Sequence, residues 1–255
     1  MAENNLFYKY YDLLYATKNY QQEVDAVFKI SSKFNLNKIK KALEIGCGTA
    51  NHTLCFAKEV ASITSCDIDK HMLEIAKEKI QNSEFTNIEL CEGYVQKITQ
   101  NNFDLAVALF NVVNYIPTQQ SLDEFFGSIR SKITQESLFI FDSWNGKACL
   151  QELPQTKIID QQKGNKRIHC LVEGSTDFKK RITKLTYTIS LFLIDGKKLE
   201  EDRYCINQTL WLPNEIQRLL KKNGFNVLEI NQLFQVDAKA DLDKDWKIMF
   251  ICRPY

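Results

Sequence analysis

Between residues 41 and 144 the chain alternates short apolar runs with amphipathic stretches, and this alternation restricts the fold more than any other feature. The apolar runs, which are candidate strands, lie at 41–46, 63–67, 88–93, 103–110 and 137–144. Two intervening stretches, 71–80 and 121–133, place apolar residues three and four apart, which is the spacing of one helix face. Strands that alternate with helices predict βαβ units on a parallel sheet.

A different pattern follows between about residues 157 and 211, where apolar residues alternate with polar ones from Leu185 to Ile194. A period of two indicates antiparallel strands. The turn signals are Gly164-Asn165, Asp177 to Lys180 and Asp195-Gly196. The chain then returns to a helix that opens at Pro213, followed by candidate strands at 225–234 and 246–252.

No linker or internal repeat interrupts these patterns, so we predict a single domain over residues 1–255. Its expected parts are a helical region at 1–36, a core at 37–150, an antiparallel β insertion at 151–211 and the remainder of the core at 212–255. The insertion has strand edges and a mixed polar and apolar face, and we expect it both to roof a pocket and to pair two subunits in a homodimer.

Composition and charge narrow the choice of partners. The chain has 33 basic and 32 acidic residues, a net charge of +1 and no long run of either sign, so neither nucleic acid nor an anionic membrane is expected. No apolar run reaches the roughly 18 to 20 residues that span a bilayer, and the amino terminus lacks the features of a signal peptide. We therefore expect a cytoplasmic protein, whose eight singly spaced cysteines are reduced core residues.

The stretch LEIGCGTANH, centred on Gly46 and Gly48, leaves an apolar run and enters a helix-like segment. The two glycines permit a tight turn and close approach of a ligand. Asn51 stands where the dinucleotide fingerprint has its third glycine, which weakens a nicotinamide or flavin interpretation. Glu44 would repel a pyrophosphate and suits a cationic group. Asp67, at the end of the second apolar run, can accept hydrogen bonds from a ribose diol.

The segments LEIGCGTANHT, SCDIDKHMLEIAKEK, ELCEGYVQ and FDLAVALFNVVNYI resemble, in order and spacing, the motifs of class I S-adenosylmethionine-dependent methyltransferases. The resemblance covers nearly the whole chain. LFIFDSWNGKA, the insertion and the helix near 212–225 are similar to the branch that methylates nucleotide-linked amino sugars and related small molecules. It implies an α/β fold with a Rossmann-like, seven-stranded, mostly parallel sheet and helices on both faces. S-adenosyl-L-methionine is the implied cofactor, and a nitrogen or oxygen of a small molecule is the implied methyl acceptor.

The resemblance also implies where the cofactor binds. Asp67 would hold the ribose, and Ile68 and Met72 would line the adenine. Tyr94 stands where many relatives carry an aspartate, so a backbone amide or ring stacking would replace a carboxylate contact to the base. The expected cofactor contacts, including two tyrosines of a helical lid, are Tyr11, Tyr20, Glu44, Gly46, Cys47, Gly48, Asp67, Ile68, Met72, Gly93, Tyr94, Leu109 and Asn111.

The acceptor should lie at the carboxyl ends of the fourth and fifth strands, where open α/β sheets bind ligands. Tyr115 and Asp142 are the candidate catalytic residues, and Trp144 would help to shape the pocket. A phenol has an ordinary pKa near 10, so Tyr115 would orient a neutral amine unless its pKa were strongly depressed. The structural alternatives are that Tyr115 packs between loop and sheet, and that Asp142 caps the following segment.

Other functional classes stay open at this point. One is a catalytically inactive module that binds S-adenosylmethionine, and another is a methyltransferase that acts on protein or RNA. A nicotinamide oxidoreductase would require tight NAD binding. No histidine and carboxylate cluster has the spacing of metal ligands, so we expect no metal site.

Overall fold

The computed structural model describes residues 5–36 and 38–255. The helices are α1 (Leu6–Lys9), α2 (Tyr11–Leu14), α3 (Tyr20–Lys33), α4 (Asn51–Phe56), α5 (Lys70–Gln81), α6 (Gln119–Arg130), α7 (Gly146–Gln151) and α8 (Pro213–Lys222). The strands are β1 (Lys41–Ile45), β2 (Ser62–Asp67), β3 (Ile88–Glu92), β4 (Phe103–Ala108), β5 (Ile133–Trp144), β6 (Lys157–Lys163), β7 (Lys166–Asp177), β8 (Ile182–Leu193), β9 (Lys198–Thr209), β10 (Phe225–Gln232) and β11 (Lys247–Pro254). Single 3-10 turns occur at Val95–Lys97 and Val112–Tyr115.

The chain forms two compact units. The core unit consists of residues 19–148 and 211–255, and the insertion unit consists of residues 149–210 together with the described residues up to Lys18. The helices of the expected lid are therefore divided, because α1 and α2 belong to the insertion unit and α3 belongs to the core unit. The chain leaves and re-enters the core at neighbouring points, since the Gly146 N–H donates to the Trp211 carbonyl at 3.0 Å.

The core unit is built on a seven-stranded sheet in the order β10-β11-β5-β4-β1-β2-β3. Strands β1 to β5 pair in parallel, whereas β10 and β11 are antiparallel to their neighbours. Successive side chains of β4 and β5 join opposite clusters, one with Phe126 of α6 and the other with Val27 of α3. Burial on both faces explains why these strands read as continuous apolar runs. The predicted fold class is confirmed.

The predicted boundary between α6 and β5 is wrong. The apolar spacing placed Ile129 and Ile133 on one helix, but α6 ends at Arg130 and Ile133 begins β5. Ile133 is buried as the first residue of the strand. The polar residues 134–136 that follow it concealed the true start of β5, which we expected at residue 137. An apolar residue at a helical spacing can equally open the next strand, so periodicity alone did not separate the two cases.

The insertion unit contains a separate antiparallel sheet in the order β6-β7-β8-β9. Its hairpins turn at Gly164 and Gly196, both with positive φ, as the sequence predicted. Within this unit the Phe7 ring of α1 stacks on Tyr204 of β9 with centroids 4.0 Å apart. The hydroxyls of Tyr15 and of Tyr187 in β8 lie 3.1 Å apart. The aromatic residues near the amino terminus therefore cover one face of this sheet.

No helix within residues 5–36 and 38–255 is both long and apolar enough to cross a lipid bilayer.

Candidate functional site

The glycine turn, residues 46–48, follows β1 in the core unit. Gly46 and Gly48 have φ values of +72° and +54°, a region that L side chains rarely adopt. The N–H groups of Gly46 and Cys47 donate to the Cys66 carbonyl at 2.8 and 3.1 Å. A Cβ on Gly46 would lie 2.5 Å from Val112 Cγ2, whereas a Cβ on Gly48 would meet nothing within 4 Å. Packing thus requires a glycine at 46, and the backbone at 48 borders open space that a ligand can enter.

Asp67, the last residue of β2, joins three turns at the carboxyl edge of the sheet. Its Oδ2 accepts the Gly48 N–H at 2.7 Å, and its Oδ1 accepts the Asp69 N–H at 2.9 Å. Its backbone carbonyl accepts the Gly93 N–H at 2.7 Å. Burial raises the pKa of the Asp67 carboxyl above its ordinary value. Each carboxylate oxygen can still accept a further hydrogen bond, which a ribose diol requires.

Glu44 lies in β1 with only 2% of its surface exposed. Its Oε2 accepts hydrogen bonds from Thr53 Oγ1 at 2.5 Å and from Ser65 Oγ at 3.1 Å. Burial raises the pKa of the Glu44 carboxyl to about 7. A nearby cation would favour the charged form, so the position suits a ligand with a cationic group.

Thr53 and Ser65 are functional candidates that the sequence analysis missed. Ser65 is the direct register partner of Glu44 in the β1–β2 pair, so aligning the two apolar runs would have found it. Thr53 lies in α4, and no sequence pattern singled it out.

Two exposed apolar side chains follow the adjacent strands β2 and β3. Ile68 is 59% exposed and Tyr94 is 65% exposed. Both stand beside Asp67, because β2 and β3 pair in parallel and end at the same edge. Large apolar side chains exposed together are typical of a ligand surface. Met72, in contrast, is buried in the first turn of α5, and Leu109 is buried in a core cluster.

The β4 turn, residues 110–115, is strained. Phe110 and Asn111 have φ values of 73° and 62°, and each left-handed residue that is not glycine costs roughly 1–2 kcal/mol. The Asn111 N–H donates to both oxygens of Asp142, at 3.2 and 3.1 Å. Asp142 is only 2% exposed, so its carboxylate lies beneath this turn.

Asn114, near the end of the same turn, is fully buried. Its Oδ1 accepts the Trp144 N–H at 2.9 Å and lies 3.2 Å from the Ser143 hydroxyl. The next residue, Tyr115, is 52% exposed. The two candidate catalytic residues, Tyr115 and Asp142, thus lie where the β4 turn is hydrogen-bonded to the end of β5. Only the tyrosine has a well exposed side chain. The sequence analysis did not identify the bonds of Asn114, because they depend on how β4 and β5 align.

Two buried polar atoms at this edge have no hydrogen-bond partner among the residues that the structure describes. They are the amide oxygen Oδ1 of Asn111 and the indole nitrogen Nε1 of Trp144. Buried polar atoms in proteins nearly always have a partner. One hydrogen-bond acceptor and one donor at the ends of β4 and β5 are therefore left unused by the described residues.

The two tyrosines of the expected lid lie in different units. Tyr20 opens α3 of the core unit, and its ring centroid is 4.9 Å from that of His52. His52 Nε2 lies 2.7 Å from Glu23 Oε2. Tyr11 belongs to the insertion unit, where its ring centroid is 5.5 Å from that of Phe7. Their roles as cofactor contacts remain predictions.

Comparisons with known sequences were consistent with this geometry. A family model described as a methyltransferase domain matches residues 36–224. The chain is 22% identical over 196 residues to a putative methyltransferase, YqeM, of Bacillus subtilis, with 76% of each chain covered. It is 26% identical over 128 residues to a demethylmenaquinone methyltransferase of a Geobacillus species, with 48% of this chain and 55% of that protein covered. The chain spans about half the length of such demethylmenaquinone methyltransferases.

Solved structures share the fold. An S-adenosylmethionine-dependent methyltransferase from Clostridium acetobutylicum has a TM-score of 0.78 at 18% identity, with 96% of both chains covered. CalS10, an amino pentose methyltransferase from Micromonospora echinaspora, has a TM-score of 0.75 at 14% identity, with 99% of this chain and 100% of that chain covered. With the family model matched over most of its length, the chain belongs to the methyltransferase domain family and is an S-adenosylmethionine-dependent methyltransferase.

Proposed function

We propose that this methyltransferase methylates an amine nitrogen of a small molecule, and that the acceptor class is a nucleotide-linked amino sugar. The observation that carries the proposal is the extent of the shared fold. CalS10, described as an amino pentose methyltransferase, and KedS8, described as a sugar N-methyltransferase, match 99% and 96% of this chain, including the strands of the insertion.

The residues of the core unit fit the cofactor. S-adenosylmethionine supplies, when bound, a methyl group on a positively charged sulfur. Gly48 leaves room for a ligand at the turn, and Asp67 has lone pairs for a diol. Ile68 and Tyr94 offer an exposed apolar surface for a base. Glu44 lies within β1, where a cationic ligand would favour the charged form of its carboxyl.

The acceptor side fits a neutral amine. Methyl transfer is an in-line displacement, so the protein contributes mainly alignment and exclusion of water. In this proposal Asn111 Oδ1 accepts an amine N–H, which leaves the nitrogen lone pair to attack the methyl carbon. Trp144 Nε1 donates to an oxygen of the acceptor, and the exposed Tyr115 orients it. The product amine leaves as an ammonium ion, so this mechanism requires no general base on the protein.

Calorimetric titration with S-adenosylhomocysteine, with NAD as control, tests the cofactor site. We expect micromolar binding of S-adenosylhomocysteine and none of NAD. The acceptor is tested by measuring S-adenosylhomocysteine formation with a nucleotide-linked amino sugar and with its hydroxyl counterpart. Turnover of the amino sugar alone supports the proposal, and turnover of the hydroxyl compound alone replaces it with O-methylation. Cofactor binding without turnover of either compound contradicts it and favours an inactive binding module or a macromolecular acceptor.

Pairing of two subunits through the edges of the insertion sheet also remains a proposal. The outer strands β6 and β9 each have one unpaired edge within the four-stranded sheet. Light scattering after size-exclusion chromatography distinguishes a 29.7 kDa monomer from a dimer.

A further inference from the structure

The β4 turn is hydrogen-bonded to the end of β5 through Asn111 and Asn114, and it packs on the glycine turn through Val112. We propose that Asp142 and Asn114 are positioning residues, which hold the β4 turn against the glycine turn and thereby maintain the cofactor site. This inference requires only the methyltransferase activity and not the acceptor proposed above.

The first argument is the conformation of the turn. Phe110 and Asn111 are consecutive left-handed residues, and neither is glycine. Such backbone persists only where the surrounding structure holds it in place. Contacts with residues outside the β4 turn must therefore maintain its left-handed backbone.

The second argument is the set of bonds that the turn makes. The Asp142 carboxylate accepts the N–H of the left-handed Asn111 itself. Asn114 Oδ1 accepts the Trp144 N–H at 2.9 Å and lies 3.2 Å from the Ser143 hydroxyl, which is closer to the Trp144 carbonyl at 2.8 Å. Residues at the end of one strand thus hold both ends of the turn.

The third argument is the contact with the glycine turn. Val112 lies between the two bonded residues, and its Cγ2 occupies the place that a side chain at Gly46 would need. On its other side the glycine turn is held by the Cys66 carbonyl. The Asp67 carboxylate holds the Gly48 N–H as well, so a displaced β4 turn would remove the support on the Val112 side and allow the glycine turn to shift at Gly46.

The same contacts define how Asp142 acts. Its carboxylate is buried and bonded to the backbone of Asn111, so its effect passes through that residue. A general base needs its charge, whereas a positioning residue needs only an oxygen that accepts the Asn111 N–H. Replacement by asparagine separates these two roles.

The test compares Asp142→Ala, Asp142→Asn, Asn114→Ala and Asn114→Asp with wild type. Asn87→Ala is the matched control. Asn87 also makes two hydrogen bonds, to the carbonyls of Ala57 and Val60 at 2.9 Å, but it lies at the amino end of β3, away from the carboxyl ends of the strands. Calorimetry gives the Kd of S-adenosylhomocysteine. Hydrogen exchange measured by mass spectrometry follows the amides of residues 109–116, and thermal unfolding gives Tm.

Loss of buried hydrogen bonds should speed exchange in the β4 turn about ten-fold and raise the Kd at least about five-fold in both alanine variants. Asp142→Asn keeps an accepting oxygen and should recover most of this loss, whereas Asn114→Asp places a charge at a fully buried position and should not. Asn87→Ala should lower Tm without changing the exchange or the Kd.

Three results would overturn the proposal. The first is an Asp142→Asn variant as impaired as Asp142→Ala, which would assign the effect to charge. The second is alanine variants with wild-type exchange and Kd. The third is an equal rise in Kd for Asn87→Ala, which would indicate general destabilisation. Because S-adenosylhomocysteine is the only ligand used, failure of the amino-sugar proposal does not affect these results.

Discussion

The Gly48 N–H donates to the Asp67 carboxylate at 2.7 Å, which ties the turn after β1 to the end of β2. The other oxygen of Asp67 accepts the N–H of Asp69, the residue that caps α5. A single side chain therefore fixes the backbone on both sides of the space where a ligand would bind. It does so with only part of its hydrogen-bonding capacity.

Replacing Asp67 with alanine should weaken S-adenosylhomocysteine binding about 100-fold, because hydrogen bonds to a charged group contribute roughly 1.5–3 kcal/mol each. Calorimetry measures the change. His169→Ala is the control, since His169 lies on an exposed part of β7 in the insertion unit. Equal and small effects of the two substitutions would contradict the role of Asp67.

Gly46→Ala should destabilise the protein by roughly 2–4 kcal/mol, since it adds overpacking against Val112 to an unfavourable φ. Gly48→Ala has the unfavourable φ without the clash, so its cost should be only roughly 1–2 kcal/mol. Urea unfolding of both variants gives the comparison. The packing explanation fails if Gly48→Ala proves the more damaging change.

Glu44 should make stability depend on pH. Its folded pKa of about 7 lies above the ordinary 4.5, so folding favours the protonated carboxyl. The resulting stabilisation is complete below pH 4.5 and is lost as pH rises through 7. A pKa difference of this size corresponds to about 3 kcal/mol.

The comparison is with Glu44→Gln, a neutral side chain of similar shape. Its free energy of unfolding should exceed that of wild type at pH 8, and the gap should close towards pH 5. Urea unfolding at four pH values provides the test, and a gap that is constant with pH would be inconsistent with the raised pKa.

Substitutions of Tyr94 distinguish two ways in which the protein could recognise the adenine base. If its ring stacks on the adenine, Tyr94→Ala should raise the Kd of S-adenosylhomocysteine about five-fold while Tyr94→Phe has little effect. If only the backbone amide makes contact, both variants should bind as wild type does. Phe178→Ala, an exposed aromatic residue in the insertion unit, is the control for general effects.

The strand and helix order of the core followed from apolar periodicity, because strands buried on both faces leave a clear pattern. Other features of the fold could not be predicted from apolar periodicity. Ile133 satisfied a helical spacing but begins β5, and the bonds of Asn114 arise only when β4 and β5 lie side by side. Tyr11 was expected in a helical lid over the cofactor, and the structure places it in the insertion unit, where its neighbour Phe7 packs on β8 and β9. A sequence pattern reports that a face is buried, and not what buries it.

The hydrogen bond between Gly146 and Trp211 closes the base of the segment that contains the insertion sheet. Residues 149–210 therefore connect two neighbouring points of the core unit, as a loop with fixed ends does. The entropy of closing a loop rises only slowly with its length, so such a segment can grow, shrink or be exchanged at little cost to the strands on either side. Changes in the inserted sheet during evolution therefore need not alter the order of the seven core strands.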